Sequence, residues 1–152
     1  MSASIRPMTT EDVAAVAACA RPADVDEIKA CCGLDIDEAL SHCISHSLRA
    51  WIIESDGKPL AAVGDTLAAF DVGVPWMITT SHIVDCRRGF LRASRAIMAE
   101  MFQRHHLLIN YVDARNTDAI RWLLWLGVTM EQPAPYGVAG LPFRKFTKNR
   151  EV

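Results

Sequence analysis

The pattern of apolar and polar positions changes period once, sharply, between residues 107 and 128. Leu107, Leu108, Ile109, Tyr111 and Val112 make a short apolar run suited to a strand, a polar break follows, and Ala119, Leu123 and Leu126 then recur at helical spacing. A strand therefore feeds a helix through a tight connection. Asn116 is placed to cap that helix, because its side-chain oxygen can accept from a free first-turn amide, and Asp118 puts negative charge at the positive end of the helix dipole. Gly127 ends it, since glycine takes a left-handed C-terminal conformation without steric cost.

The rest of the chain reads in the same way. Ser4 to Met8 predicts a short edge strand, where Pro7 costs little. Thr9 or Thr10 then caps a helix with Glu11 and Asp12 in its first turn, an apolar stripe of Val13, Val16 and Ala17, and an end near Pro22. A second helix is expected over 23–32, stopped by Gly33, and a third over 35–47, with Ile36, Leu40, Cys43, Ile44 and Ser47 on its buried side. Residues 49–54 predict a strand, Ser55-Asp56-Gly57-Lys58 a hairpin turn, and Pro59 to Leu67 the return strand. An irregular link at 68–73 leads to a central strand at 74–80 and an amphipathic helix at 87–105. That helix is apolar through Phe90, Leu91, Ile97, Met98, Met101 and Phe102 and basic through Arg88, Arg92, Arg95 and Arg104. Beyond 107–128 come a strand at 128–132, a proline- and glycine-rich stretch from Gln132 to Gly140 that cannot be regular, a last strand at 142–147, and a basic tail from Lys148 to Arg150 that should fray.

This order predicts an α/β (α+β) domain with a central mixed sheet of about six or seven strands and helices on both faces, the strands at 74–80 and 107–112 lying side by side and parallel. Trp51, Ile53, Ile78, Ile109, Leu123 and Leu126 are its expected core.

Composition narrows the picture further. With 152 residues, 51% of them hydrophobic, residues 1–152 read as one domain with ample material for a core. The net charge of −2 provides no global basic field for nucleic acid. Charge is uneven, however: residues 1–60 hold ten acids and five bases (−5), and residues 61–152 hold eight acids and eleven bases (+3). Neither a secretion signal nor a membrane span is visible, so the expectation is a soluble intracellular protein. Five cysteines, an odd number without framework spacing, suit free thiols in a reducing compartment. Cys31, Cys32, His42, Cys43 and His46 can be read as metal ligands, but the adjacent cysteine pair lacks the two-residue spacer of a zinc knuckle. A helix with Cys43 buried and the histidines at its edge explains them without metal, and no metal is expected.

The element order and its punctuation resemble the GNAT fold of acetyl-CoA-dependent N-acyltransferases. The resemblance implies that residues 74–105 cradle the cofactor diphosphate at a helix start, where free amides form an anion site, and that 107–128 packs along the pantetheine arm. It makes Arg87, Arg88, Gly89 and Asn116 the cofactor-binding candidates. Two departures bear on activity. The family's diphosphate loop runs Arg or Gln, two residues, Gly, any residue, Gly or Ala, whereas this chain has Cys86-Arg87-Arg88-Gly89-Phe90-Leu91, which in either register sets a bulky side chain against the phosphates. Downstream of the asparagine, Asn116, Ala119 and Gly127 fit the family pattern, but Leu123 stands where the proton-donating tyrosine belongs. Tyr111 or Tyr136 is the substitute donor, and His82, at the end of the central strand, is the candidate base.

Asn110-Tyr111-Val112, Asn116-Thr117, Ile120-Arg121-Trp122-Leu123 and Leu126-Gly127-Val128, with Trp76-Met77-Ile78-Thr79-Thr80-Ser81 before the basic helix, resemble the GNAT-like internal virion proteins of short-tailed bacteriophages, whose diphosphate loop is likewise degraded. This second resemblance implies a non-catalytic virion-associated protein, found in the host cytoplasm during assembly and then in the particle. Virion proteins or a second copy would meet Arg88, Arg92, Arg95 and Arg104 or the loop around Tyr136. No cofactor is then expected. The alternative is a cytoplasmic acetyl-CoA-dependent N-acetyltransferase acting on an amine, with His82 and Tyr136 as its catalytic pair.

Overall fold

The computed structural model describes residues 2–151. Strand β1 (Ser4–Pro7) leads into helices α1 (Asp12–Cys19), α2 (Pro22–Cys32) and α3 (Ile36–His46), then strands β2 (Arg49–Ser55), β3 (Lys58–Ala69) and β4 (Val72–Thr79). A 3-10 turn at Ser81–Asp85 precedes α4 (Arg87–Met101), followed by β5 (Leu107–Asp113), α5 (Thr117–Trp125), β6 (Thr129–Met130), β7 (Ala134–Tyr136) and β8 (Leu141–Asn149). The strands form one sheet in the order β1-β2-β3-β4-β5-β8-β6, with β7 pairing β8. Eight strands thus stand where six or seven were expected, because 134–136 pairs with 141–143 in spite of Pro135, which an edge strand tolerates. Among the described residues no helix is long and apolar enough to cross a membrane.

Alternation along the strands gives the sheet two apolar faces. Ile53, Ala61 and Val63 meet Phe90, Ala93, Ile97 and Met101 of α4, while Ile52, Ala62 and Ile78 on the other face meet Val16 of α1 and Leu40 of α3. The hairpin at Asp56-Gly57 forms as expected, with positive φ at both residues. The link at 68–73 is not irregular. β3 runs on to Ala69 and turns into β4 through Asp71 at φ 63, a conformation an aspartate tolerates better than most residues. The expected threonine cap of α1 is reversed: Asp12 Oδ2 accepts from Thr9 N at 2.8 Å, so the acid inside the helix reaches back to the backbone before it. Nor does the tail fray at its start. β8 continues to Asn149, and Arg150 donates from its backbone to His106 and from its side chain to Phe102 O.

Strands β4 and β5 are parallel neighbours, but their register covers only Val72–Leu107 and Gly73–Leu108. Beyond that point they separate. The apex is held from beneath by Asp65 of β3, fully buried, which accepts from Arg104 Nε at 3.1 Å and Nη2 at 2.7 Å and from His105 Nε2 at 2.6 Å. The imidazole of His105 lies flat on Gly73, where a Cβ would come within 2.4 Å of the ring. Arg104, expected on the exposed face of α4, is therefore an internal anchor beyond its end.

Of the expected core, Ile53 and Ile78 are buried, while Trp51, Ile109, Leu123 and Leu126 are half-buried. The two leucines face the gap that the parting strands leave instead of a closed core. Truncating Leu126 to Ala should therefore cost about 1 kcal/mol, below the 2–5 kcal/mol of a sealed leucine. Asp65→Ala should cost about 3–5 kcal/mol, because Arg104 and His105 lose the carboxylate that compensates them. Urea denaturation monitored by tryptophan fluorescence measures both, and equal costs would contradict this placement of α5.

Candidate active site

The gap between β4 and β5 is a cleft of about 110 Å³. Its apolar wall comes from Ile97, Met98 and Met101 of α4 and from Ala119, Leu123 and Leu126 of α5, and its polar end from Asp24, Glu27, Thr79 and Tyr111. Asn110 Nδ2 bridges it, donating to Pro75 O at 2.6 Å.

Strand β4 presents a backbone edge to this space. Thr80 N donates to Leu60 O, so the even-numbered residues of β4 pair with β3 and the odd-numbered ones turn toward the cleft. Most of that edge is already used. Pro75 has no N–H and its carbonyl takes Asn110, while Thr79 N donates to Asp24 Oδ2 at 2.7 Å and Thr79 O accepts from Arg21 N at 2.9 Å. Met77 is left as the position whose N–H and C=O look into the opening.

Asp24, 4% exposed, organises the polar end. Its Oδ2 also accepts from Thr79 Oγ1 at 2.5 Å, and its Oδ1 from Arg21 Nη2 at 3.0 Å and Asn116 Nδ2 at 2.8 Å. Arg21 lies 4.7 Å above the Trp122 ring and donates to Thr79 Oγ1 at 2.6 Å. Asn116 does cap α5, with Oδ1 accepting from Ala119 N at 3.4 Å. It also accepts from Arg21 and donates to Asp24 and, at 3.2 Å, to Glu27 Oε1. All four of its hydrogen-bonding positions are thereby taken. Asn116 is a structural joint between α2 and α5 and keeps nothing free for a cofactor.

Glu27 is the residue the sequence reading missed. On α2, it receives Asp113 N at 2.9 Å and Asn116 Nδ2 on Oε1, while its Oε2 has no hydrogen-bond partner among the described residues. Burial pushes its carboxyl up to about 7; Asp24 and Asp113 add to that push as like charges, and the two hydrogen bonds offset part of it. No periodicity marks Glu27, since α2 has a weak apolar stripe and carries several acids. The available signal was an acid one turn beyond Asp24 on a helix preceding the sheet.

The other candidates fall elsewhere. His82 sits in the 3-10 turn, where its N–H donates to Thr80 Oγ1, and does not line the cleft. Tyr136 reaches the cleft only indirectly, stacked at 3.8 Å on Tyr111, and burial pushes its phenol up. Arg87 and Arg88 are exposed at the start of α4. Leu91 packs toward the core between α4 and the sheet, so it does not crowd the helix end as expected. Gly89 instead serves the chain itself: a Cβ there would meet Cys86 Sγ at 2.7 Å and Ala3 N at 3.0 Å. His42 and His46 stack on α3, and burial pushes the Cys31 and Cys43 thiols up to about 12 and about 11, so neither offers a thiolate at neutral pH. Among the described residues no three His, Cys, Asp or Glu side chains gather around a metal-sized point.

No family model matches the chain, and no curated protein matches it by sequence. Solved structures do. The aminoglycoside acetyltransferase AAC(6')-Ib, in complex with ribostamycin and coenzyme A, is similar with a TM-score of 0.72 and 16% identity over 99% of this chain and 94% of that one. A putative acetyltransferase, YncA of Salmonella typhimurium with acetyl-CoA, gives 0.69 and 16% over 99% and 95%. A GNAT-family acetyltransferase of Streptococcus pneumoniae gives 0.64 and 14% over 99% and 100%. The chain has the GNAT acetyltransferase fold.

Because Glu27 is held above its unfolded value near 4.5, the folded chain keeps a proton that the unfolded chain releases. The stability this contributes is full below about pH 4.5 and is lost as pH rises through about 7. Glu27→Gln, which preserves an acceptor for Asp113 N and Asn116, should flatten that decline and stabilise the protein at pH 8 by on the order of 2 kcal/mol. Denaturation midpoints of both proteins between pH 4.5 and 8 test this, and parallel curves would remove Glu27 as the titrating group.

Proposed function

We propose that the chain is an N-acyltransferase that uses a coenzyme A thioester as donor, an amine as acceptor and Glu27 as general base. The observation that carries this reading is Glu27 itself, a carboxyl raised to about 7 with one oxygen free, at the polar end of a cleft opened by two parting parallel strands. The residues fit an extended thioester arm: the walls are apolar, and the Met77 backbone offers a donor and an acceptor inside. They fit the diphosphate less closely. Gly89 is occupied by Ala3 and Cys86, which leaves the side chains of Arg87 and Arg88 to hold phosphate in place of a glycine-lined backbone cradle. Acetyl-CoA, when bound, supplies an acyl group already activated as a thioester.

The protein's part is proton management and exclusion of water. An aliphatic amine arrives protonated, and the Glu27 carboxylate beside Asp24 favours a cation at the polar end. Ionised Glu27 takes one proton through Oε2 and frees the nitrogen lone pair. Tyr111, a phenol in the cleft wall, stands where Leu123 cannot serve and supplies a proton to the departing thiolate.

A second reading, a virion-associated protein without catalysis, is favoured by the self-filled Gly89 corner together with the phage-like run at 74–128. Its contact surfaces are Arg88, Arg92 and Arg95, Arg104 being engaged with Asp65, and the segment around Tyr136. That segment is docked on α2, with Val138 N donating to Cys31 O at 3.1 Å and Ala139 N to Ala30 O at 3.2 Å.

Calorimetry with acetyl-CoA, followed by thiol release with a panel of primary amines, separates the two. Binding and turnover are expected, with kcat/KM rising through about pH 7. Glu27→Gln should lower turnover by at least ~100-fold, within the range of a lost general base, while leaving acetyl-CoA affinity within about twofold. Absence of binding with the folded protein would turn the conclusion to the virion reading, for which co-purification with virion components is then the direct check.

A further inference from the structure

The distribution of paired and unpaired arginines sets one helix apart from the rest of the chain. Of the twelve arginines, six form ion pairs with Asp or Glu, and Arg144 and Arg150 donate to backbone carbonyls. The four left, Arg87, Arg88, Arg92 and Arg95, have no ion pair or hydrogen bond among the described residues, and all are exposed within nine residues of α4. The single acid of that helix, Glu100, is committed to Arg104 at 2.7 Å and to Arg49 at 3.7 Å. A chain of net charge −2 therefore carries a local surplus of four positive charges.

These charges lie against the physics of the helix. The first turn of α4 has no acid, and Arg87 and Arg88 stand at the positive end of its dipole, where a cation is unfavourable. Arg88, Arg92 and Arg95 follow one face at spacings of four and three, a row about 10 Å long at the helical rise. Beside its end stands Trp125 of α5, 45% exposed, with the Arg95 guanidinium 4.1 Å from its ring. A row of unneutralised arginines next to an open indole is the composition of a surface that follows phosphates and stacks a base.

We propose that this face of α4 and α5 binds single-stranded nucleic acid, with the arginines on successive phosphates and Trp125 on a base. The proposal does not rest on acyl transfer: Arg92, Arg95 and Trp125 lie outside the cleft, and only Arg87 and Arg88, assigned above to the coenzyme A diphosphate, would be shared between the two ligands.

The test is fluorescence anisotropy of a labelled mixed-sequence oligodeoxynucleotide of about 20 residues with the full chain, at several salt concentrations. Binding with a dissociation constant in the micromolar range at low salt is expected, with log affinity falling against log salt at a slope of about −2 to −3, as three or four phosphates on a single strand require. The double variant Arg92→Glu/Arg95→Glu should weaken binding at least ~10-fold and flatten the slope; both side chains are exposed, and circular dichroism confirms that the fold is retained. Trp125→Ala should weaken binding about fivefold or more with the slope unchanged, since stacking releases no counterions. Three results would overturn the proposal: no binding at low salt, unchanged binding by the charge-reversed variant, or equal affinity for a polyglutamate peptide or a duplex of matched charge.

Discussion

The structure depends on where two parallel strands stop being neighbours. β4 and β5 share register at two positions and then separate, because Asp65 fastens the end of the α4 crossover beneath the sheet at that point. Arg104 and His105 are adjacent, so one buried carboxylate fixes both the exit of the crossover and the start of β5. The His105 ring lying on Gly73 leaves no room for a side chain there. A buried charge with two basic partners is costly to assemble and costlier to break, which suits a joint that must hold one geometry. The cleft, the open edge at Met77 and the unfilled side of α5 all follow from that joint.

At the other end of the cleft a second buried acid has the opposite task. Asp24 closes the space by taking the Thr79 amide, the Arg21 guanidinium and the Asn116 amide together. Asn116, the residue that resemblance assigns to the cofactor, is consumed in this network, and its second N–H is what orients Glu27. The raised carboxyl of Glu27 follows from the same arrangement, because a network built to satisfy Asp24 places two further carboxylates near Glu27 and shields it from water.

The fold was legible in the sequence because its signals are local. The change of period at 107–128, Asn116 as cap, Gly127 at φ 92 and the Asp56-Gly57 turn are each decided by a few adjacent residues, and each stands as read. The site was far less legible, since its chemistry is made by contacts distant along the chain. Glu27 lies on α2 and meets Asp113 and Asn116 nearly ninety residues later. Arg104 looked like one more cation on a basic helix until β3 placed Asp65 beside it, and His82 looked well sited only because the 3-10 turn that diverts it has no strong sequence mark. The hairpin at 69–72 was missed for a related reason. Its turn uses Asp71 in a left-handed conformation, without the glycine that most often marks such a corner.

Helix α5 shows how these constraints meet. It carries an apolar face and a proper cap, yet none of its residues is fully buried. Ala119, Ile120 and Leu123 reach the small cluster of Val112, Val128 and Phe146, while Leu123 and Leu126 also border the open cleft. An apolar helix face left half in water is a loss of hydrophobic stabilisation, and a chain optimised only for stability would fill the gap. It is tolerated here because the helix is pinned at its start by Asn116 and braced by Trp122, which packs on Phe90 at 5.1 Å and beneath Arg21. The inner face of α5 is thereby kept open by polar contacts at one end, and a molecule that filled the cleft would complete the packing that the sequence leaves unfinished.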